Sequence, residues 1–173
     1  MKDGAALIGI IMGSDTDLPV MSEAGKTLEK FGVAYEMEVI SAHRAPARTH
    51  EYASTAVSRG LKAIIVGAGG AAHLAGVVAS LTTLPVIGVP MATTALSGMD
   101  SLLAIVQMPA GIPVATMAID KAGAVNAAIF ALQILGLSDA AIAEKLISHK
   151  TDLAASVAEK NSRLQAELTK RRG

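Results

Sequence analysis

The feature of this sequence that most limits its fold is a series of short apolar runs without polar alternation. The first run, residues 7–12, reads LIGIIM, and similar runs recur along the chain. A strand that is covered on both faces has this pattern, because neither face meets water. Segments of helical composition separate the runs, and a helix between two strands makes them parallel neighbours. The pattern therefore predicts a parallel sheet with helices on both faces.

The predicted elements form five strand–helix units. Strands are expected at residues 7–12, 34–40, 63–70, 85–90 and 112–119. Helices are expected from the GSDTD turn to about residue 31, and at 46–59, 72–81, 97–107 and 122–135. Five units in 173 residues favour a flavodoxin-like, three-layer αβα sandwich over a (β/α)8 barrel, which needs ~250 residues.

The chain from Ser138 onward has a different pattern. Its apolar residues recur at intervals of 4, 7, 4, 7 and 4 positions, close to the period of a straight helix. These residues are Ile142, Leu146, Leu153, Val157, Leu164 and Leu168. We expect a long C-terminal helix that packs either on its own domain or on a neighbouring subunit. The whole chain is expected to be one domain, with a sheet core in residues 1–137 and a helical extension in 138–173.

The composition narrows the possible functions. The sequence has 15 Lys and Arg against 15 Asp and Glu. It therefore lacks the excess of basic residues that a general nucleic-acid-binding surface needs. It has no cysteine, which excludes disulfide and thiolate chemistry. It shows no signal-peptide pattern and no apolar run long enough to span a bilayer. We therefore expect a cytoplasmic protein that acts on neither nucleic acid nor membrane.

Three polar turns follow the first three strands. Parallel sheets carry their sites at the carboxyl ends of the strands, so these turns are expected to converge. Residues 13–17 offer backbone N–H groups and hydroxyls that suit a phosphate, although helix capping explains the same residues. Residues 41–46 contain His43, a possible acid/base, and Arg44, a possible anion-binding group. Residues 67–74 contain three glycines, which let the backbone approach a ligand closely.

The second and third turns contain the groups that could move protons or bind anions. Arg44 can hold a phosphate by two bonds, and His43 has an imidazole side chain, a group that can both give and take a proton. A solvated polar turn explains the same residues. His73 stands where the third helix is expected to start, and such a histidine is also common as a cap or a packed residue. No His/carboxylate spacing typical of a metal site is present, and no metal or other cofactor is expected. Together the turns indicate a site for a phosphorylated small molecule, with histidine as the clear acid/base.

Several long motifs in this order resemble a known family. They are IIMGSDTDLPVM, SAHRAP, GAGGAAHLAG, LPVIGVP, LSGMDSLLAIVQMPAGIPVATMAI and NAAIFALQIL, which together span roughly residues 5–137. These motifs closely resemble the N5-carboxyaminoimidazole ribonucleotide mutases, the class I PurE family of purine (IMP) biosynthesis. The resemblance implies an isomerase without metal, ATP or biotin. It moves a carboxylate from the exocyclic nitrogen of an aminoimidazole ribonucleotide to ring carbon C4, by decarboxylation and recarboxylation. It also implies a homo-octamer with C-terminal helices between subunits.

The resemblance also implies roles for individual residues. Ser14 and Arg44 would hold the 5′-phosphate, with help from Thr16 and Ser41, and Asp17 would accept bonds from the ribose hydroxyls. His43 would be the acid/base. His73 and the backbone from Ala68 to Leu74, which includes Gly69 and Gly70, would line the pocket for the carboxylate and carbon dioxide. Ala42 is a further implied substrate-binding residue.

This chain departs from the family pattern at three positions, and other functions stay open. Asp15 stands where Lys or Gln is frequent, Ala45 replaces a common threonine, and Ala75 replaces a proline. One alternative is the class II relative, which carboxylates the aminoimidazole ribonucleotide directly with carbon dioxide. Others are a flavin-binding carrier, which usually needs stacking aromatics that are scarce here, and a catalytically silent assembly module.

Overall fold

The computed structural model describes residues 5–172 and contains a five-stranded sheet in which every pairing is parallel. The strand order is β2-β1-β3-β4-β5. The strands are β1 (Ile8–Met12), β2 (Tyr35–Val39), β3 (Ala63–Gly69), β4 (Val86–Met91) and β5 (Ala115–Thr116). In the register, Ile8 of β1 lies opposite Tyr35 of β2 and Ala63 of β3. The predicted flavodoxin-like sheet is confirmed.

Six α-helices accompany the strands in the described chain. They are α1 (Leu18–Phe31), α2 (Pro46–Thr55), α3 (Leu74–Leu81), α4 (Met99–Val106), α5 (Asp120–Gly136) and α6 (Ala140–Arg172). A short 3-10 turn, Asp15–Asp17, precedes α1. The chain divides into two compact units, one up to Leu132 and one from Gln133 onward. None of the helices within residues 5–172 is long and apolar enough to cross a membrane.

Local sequence signals set the ends of two helices that flank the site. Pro46 begins α2, where its missing N–H is not needed. The helix ends at Thr55, earlier than predicted, and hydrogen-bonded turns continue to Gly60, which has a φ of 93°. Gly32, with a φ of 74°, ends α1 and donates its N–H to the carbonyl of Glu29 at 2.9 Å. Glycine takes this left-handed conformation without the steric penalty of a Cβ.

Apolar side chains fill both faces of the sheet in the first unit. On one face, Tyr52 of α2, Val78 of α3 and Ile105 of α4 pack in one core cluster. On the other face, Met21 of α1 lies so close to Gly67 of β3 that a Cβ there would collide with it. Strands β1 and β4 are buried throughout, as expected for strands covered on both faces. These contacts hold the carboxyl ends of the central strands in place.

Strand β5 is much shorter than the predicted residues 112–119. Only Ala115 and Thr116 form a strand, and they pair with Ile87 and Gly88 of β4. Pro113 has no N–H to donate, and β5 has a partner on one side only. The strand predicted from the apolar composition of this segment is therefore longer than the part that forms sheet hydrogen bonds.

The second unit contains the predicted long helix. Asp139 caps α6, because its Oδ1 accepts hydrogen bonds from the backbone N–H groups of Ala141 at 2.9 Å and Ile142 at 3.1 Å. Four apolar side chains of the predicted repeat are exposed, namely Leu153, Val157, Leu164 and Leu168. The helix thus presents an exposed apolar stripe from Leu153 to Leu168, whereas Ile142 at its start is buried.

Candidate active site

A cleft of about 400 Å³ lies at the carboxyl ends of the strands. The turns after β1, β2 and β3 all contribute to its lining, as the sheet topology predicts. The predicted residues that line it are Ser14, Thr16, Asp17, Ser41, Ala42, His43, Arg44, Ala68, Gly69 and Leu74. Gly70 and His73 are not among its lining residues.

The first turn presents hydroxyl groups at the cleft. The Ser14 Oγ accepts bonds from the backbone N–H of Thr16 at 3.3 Å and from its hydroxyl at 2.9 Å. The same Ser14 hydroxyl donates to Oδ1 of Asp15 at 3.2 Å. Ser14 is therefore the N-cap of the short 3-10 turn, so the capping interpretation is correct for this residue. In the ligand-free structure Asp15 accepts the one hydroxyl proton that Ser14 can donate, so a phosphate bound by Ser14 would take the place of Asp15 as acceptor.

Asp17 is the buried acid of the site. Its side chain is only 4% exposed and nevertheless lines the cleft. Burial raises the pKa of Asp17 above its ordinary value, and repulsion from Asp120 and Asp15 adds to the increase. Hydrogen bonds from the Ser14 backbone and the Thr16 side chain partly oppose it. Folding thus keeps a carboxyl group in an environment that disfavours its charge.

Arg44 joins the second turn to the first. Its Nη2 donates to the carbonyl oxygen of Gly13 at 2.9 Å, and its Nε donates to Oγ of Ser41 at 3.3 Å. No carboxylate within residues 5–172 forms an ion pair with Arg44. The guanidinium is therefore held in place by neutral acceptors, and its positive charge remains available to an anion.

His43 and His73 contact each other across two turns. The His43 Nε2 lies 3.1 Å from the His73 Nδ1, and the two rings meet edge to face with an interplanar angle of 72°. His73 immediately precedes α3 and is exposed. The structure thus brings together two histidines that the sequence separates by thirty positions, but only His43 lines the cleft.

The third turn supplies a wall of backbone. Gly69 packs against the side chain of Thr93 so tightly that a Cβ would collide with the threonine hydroxyl. Gly70 has a φ of 59°, which favours glycine. Thr93 itself lines the cleft, and the sequence reasoning assigned it no role; Gly13 and Ala71, which lie in the predicted turns, line it as well. Thr93 lies two residues after the end of β4, so applying the carboxyl-end rule to the fourth strand would have found it.

These groups define the chemistry that the cleft can perform. The first two turns offer serine hydroxyls and a guanidinium that forms no ion pair with the described residues, and these groups suit a phosphate. A buried carboxyl can accept bonds from ligand hydroxyls, and a histidine can exchange protons. Within the described part of the chain, no three His, Cys, Asp or Glu side chains lie close enough together to hold a metal ion. The cleft fits a phosphorylated molecule with sugar hydroxyls and a centre that gains and loses a proton.

Comparisons with known proteins agree with this description. The model of the AIR carboxylase family matches residues 7–156. The N5-carboxyaminoimidazole ribonucleotide mutase of Pyrococcus horikoshii is 60% identical over 165 residues, which cover 95% of this chain and 92% of that protein. The enzyme of the same name from Bacillus subtilis is 54% identical over 158 residues, which cover 91% and 98%.

A solved structure extends the agreement to three dimensions. The crystal structure of Treponema denticola PurE is similar to this chain with a TM-score of 0.82 and 27% identity. The similarity covers 92% of this chain and 98% of that one. Because the family match covers most of the sequence and the relatives match at high identity over nearly their whole length, the chain belongs to the AIR carboxylase family.

Proposed function

We propose that this protein is an isomerase that converts N5-carboxyaminoimidazole ribonucleotide to 4-carboxy-5-aminoimidazole ribonucleotide in purine (IMP) biosynthesis. The names and high identity of its relatives support the reaction. One structural observation carries the proposal. Arg44, whose guanidinium has no carboxylate partner among residues 5–172, and the adjacent His43 line the same cleft as a buried acid, Asp17.

The 5′-phosphate would bind between the first two turns. Arg44 is held there by the Gly13 carbonyl, and its Nη1 makes no hydrogen bond to the described residues. The Ser41 Oγ accepts both from the Arg44 Nε and from the Arg44 backbone N–H, each at 3.3 Å. The Ser41 hydroxyl proton is therefore free to point at a phosphate oxygen. Ser14 and Thr16 would add hydroxyl donors from the first turn, once their protons turn from Asp15 and Ser14 to the phosphate.

The ribose hydroxyls would bind to Asp17. Two vicinal hydroxyls can donate to the two oxygens of one carboxylate, and such bonds to a charged acceptor are stronger than neutral ones. Burial removes competing water from this contact. This role gives a reason for an acid whose environment raises its pKa.

His43 would perform the proton transfers. Protonation of the carbamate nitrogen breaks its bond to the carboxylate carbon and releases carbon dioxide. Ring carbon C4 then attacks the carbon dioxide, and the histidine recovers the proton from C4. No net proton is consumed, so one acid/base suffices. The backbone from Ala68 to Leu74 and the nearby Ala42 would enclose the carbon dioxide and keep water out.

The substrate separates this reaction from the direct carboxylation of the class II relatives. Freshly made N5-carboxyaminoimidazole ribonucleotide, supplied at low bicarbonate, should be converted rapidly to the C4-carboxylated product. Aminoimidazole ribonucleotide with abundant bicarbonate should react far more slowly at the same enzyme concentration. Product formation from the second mixture alone would instead make the protein a direct carboxylase. Product from neither mixture would refute both functions.

We also propose that the protein works as a homo-octamer in the cytoplasm. The exposed apolar stripe on α6 and exposed apolar residues on α4, including Met99 and Leu103, support self-association. Sedimentation velocity should give a particle of about 141 kDa, which is eight copies of the 17.6 kDa chain. A monomer at micromolar concentration would contradict this assembly.

A further inference from the structure

We propose that His73 is a positioning residue, which holds His43 in the tautomer protonated at Nε2 and so leaves Nδ1 to exchange the substrate's proton. This inference rests on the proposed function, because it assigns the reacting nitrogen of the proposed acid/base. It starts from one contact, the 3.1 Å separation between His43 Nε2 and His73 Nδ1. His43 lines the cleft, and no hydrogen bond from the described residues reaches its other ring nitrogen, Nδ1.

A hydrogen bond between two imidazole nitrogens requires one proton and one lone pair. In the first arrangement His43 donates from Nε2 and His73 accepts at Nδ1. In the second arrangement His73 donates and His43 accepts at Nε2. The two arrangements differ in what happens when His43 becomes an imidazolium ion.

Only the first arrangement keeps the hydrogen bond between His43 and His73 throughout the catalytic cycle. An imidazolium carries a proton on each nitrogen, so a charged His43 in the second arrangement would point its Nε2–H at the Nδ1–H of His73. The bond would then break each time the acid/base is charged. In the first arrangement the additional proton enters at Nδ1, and the Nε2–H bond to His73 is unchanged. An acid/base that must alternate between its two proton states therefore keeps its orientation only with His73 as acceptor.

The protons balance in this arrangement. His43 gives its Nδ1 proton to the carbamate nitrogen, and the bond from that nitrogen to the carboxylate carbon breaks. After C4 has attacked the released carbon dioxide, the C4 proton returns to the His43 Nδ1. His73 stays neutral, with its own proton on Nε2, and exchanges none with the substrate.

The position of His73 suits an indirect role. It is not among the residues that line the cleft, whereas the adjacent Leu74 is. Its backbone is fixed at both ends, since its N–H donates to the Ala71 carbonyl at 2.8 Å and its carbonyl accepts from the Val77 N–H at 3.0 Å. The start of α3 thus supports a ring that touches the acid/base from outside the cleft.

Two substitutions separate the hydrogen bond from the shape of the side chain. His73→Leu keeps an apolar side chain of similar size but has no acceptor. His73→Asn carries its amide oxygen on Cγ, where histidine carries Nδ1, and can accept the same bond. For N5-carboxyaminoimidazole ribonucleotide, we expect His73→Leu to lower kcat about 10- to 100-fold, the range for partners that orient a functional histidine, with KM little changed. His73→Asn should recover most of the lost kcat. His50→Leu, an exposed histidine on α2, is the matched control and should leave kcat unchanged.

A spectroscopic measurement tests the tautomer without any turnover. Nitrogen-15 NMR of histidine-labelled protein should find the proton of neutral His43 on Nε2, and the His43→Asn variant assigns the signal. A proton on Nδ1 would overturn the inference, as would a His73→Leu variant with wild-type kcat. A raised KM with normal kcat would also overturn it, because His73 would then contact the substrate itself. If the leucine variant does not fold, the tautomer of the wild-type protein decides. A wild-type protein that does not convert the substrate would refute the proposed function, whereas the tautomer would still be measured.

Discussion

The two turns that flank the cleft differ in how the fold accommodates their charged groups. The first turn keeps Asp17 almost completely buried, where desolvation and two nearby acids disfavour its charge. The second turn keeps His43 and Arg44 exposed, and the acceptors that hold Arg44 within the described residues are all neutral. The first turn therefore reduces the stability of the ligand-free fold, and the second hardly affects it. Substitutions in the second turn should therefore lower activity with little change in stability. Substitution of Asp17 should lower activity and raise stability.

The largest effect is expected at His43. His43→Asn removes the proposed acid/base, so kcat should fall about 10²- to 10⁴-fold, the range for a positioned proton-transfer group. KM and the melting temperature should change little, because the side chain is exposed. Steady-state kinetics and thermal unfolding would measure these quantities, with His50→Asn as the matched exposed histidine. Turnover near the wild-type rate in His43→Asn would remove the basis of the proposed mechanism.

The second largest effect is expected at Arg44, and it should appear in KM. Charge-assisted hydrogen bonds contribute about 1.5–3 kcal/mol each, and the exposure of Arg44 favours the lower end of that range. Loss of a two-bond phosphate contact at about 1.5–2 kcal/mol per bond in Arg44→Met should therefore lower kcat/KM about 10²- to 10³-fold. Arg44→Lys keeps the charge but not the planar fork, and should recover part of that loss.

Stability gives the control for this substitution. Both Arg44 variants should melt only slightly below the wild-type temperature. The exposed guanidinium loses its hydrogen bonds to the Gly13 carbonyl and the Ser41 hydroxyl, but it has no ion pair to lose within residues 5–172. Equal KM values for the methionine, lysine and wild-type proteins would place the phosphate elsewhere.

A smaller loss of activity, accompanied by a gain in stability, is expected for Asp17→Asn. Weaker acceptance of the ribose hydroxyls should lower kcat/KM about 10- to 100-fold. The same change should raise the melting temperature at pH 7, because burial, the largest influence on this group, disfavours the charged carboxylate.

The pH dependence of this gain has a definite sign. The pKa of Asp17 is higher in the folded state than its ordinary value of 3.8, so the folded protein binds more protons between the two values. Stability is therefore lost as the pH rises through the folded-state pKa. The gain from Asp17→Asn should be present at neutral pH and vanish below pH 3.8. Thermal melts across this range would test it, and a variant that is less stable at pH 7 would contradict the account.

The smallest effect is expected at Asp15. This exposed acid holds the Ser14 hydroxyl and stands close to the proposed phosphate. Asp15→Asn should raise kcat/KM by about two- to fivefold at low salt, in line with the small energies of exposed charge pairs. The gain should shrink at high ionic strength, because salt screens exposed charges. A salt-independent change would indicate a contact rather than a charge effect.

Much of the fold could be predicted from local patterns. The run from Leu7 to Met12 indicates a strand buried on both faces, and Pro46 marks the start of α2, because both signals depend on near neighbours in sequence. β5 was predicted too long, since apolar composition does not reveal that Pro113 lacks a donor and that the strand has one partner only.

In the candidate site, too, the features that depend on local sequence could be predicted and those that depend on distant segments could not. The convergence of the first three turns follows from parallel topology, so the sequence could predict it. The contact of His43 with His73, the packing of Thr93 on Gly69 and the burial of Asp17 depend on distances between segments far apart in sequence. No local pattern encodes such distances. The roles proposed for these residues therefore need direct tests on the protein.

The measurement that tests the account most directly is a crystal structure of His43→Asn with N5-carboxyaminoimidazole ribonucleotide bound, since this variant should bind the substrate without consuming it. We expect the phosphate within hydrogen-bond distance of Arg44 and Ser14, the ribose hydroxyls on Asp17, and the imidazole ring beside Asn at position 43. A ribonucleotide bound without contact to Arg44, or with its ribose away from Asp17, would contradict the claim that the two turns recognise one substrate together.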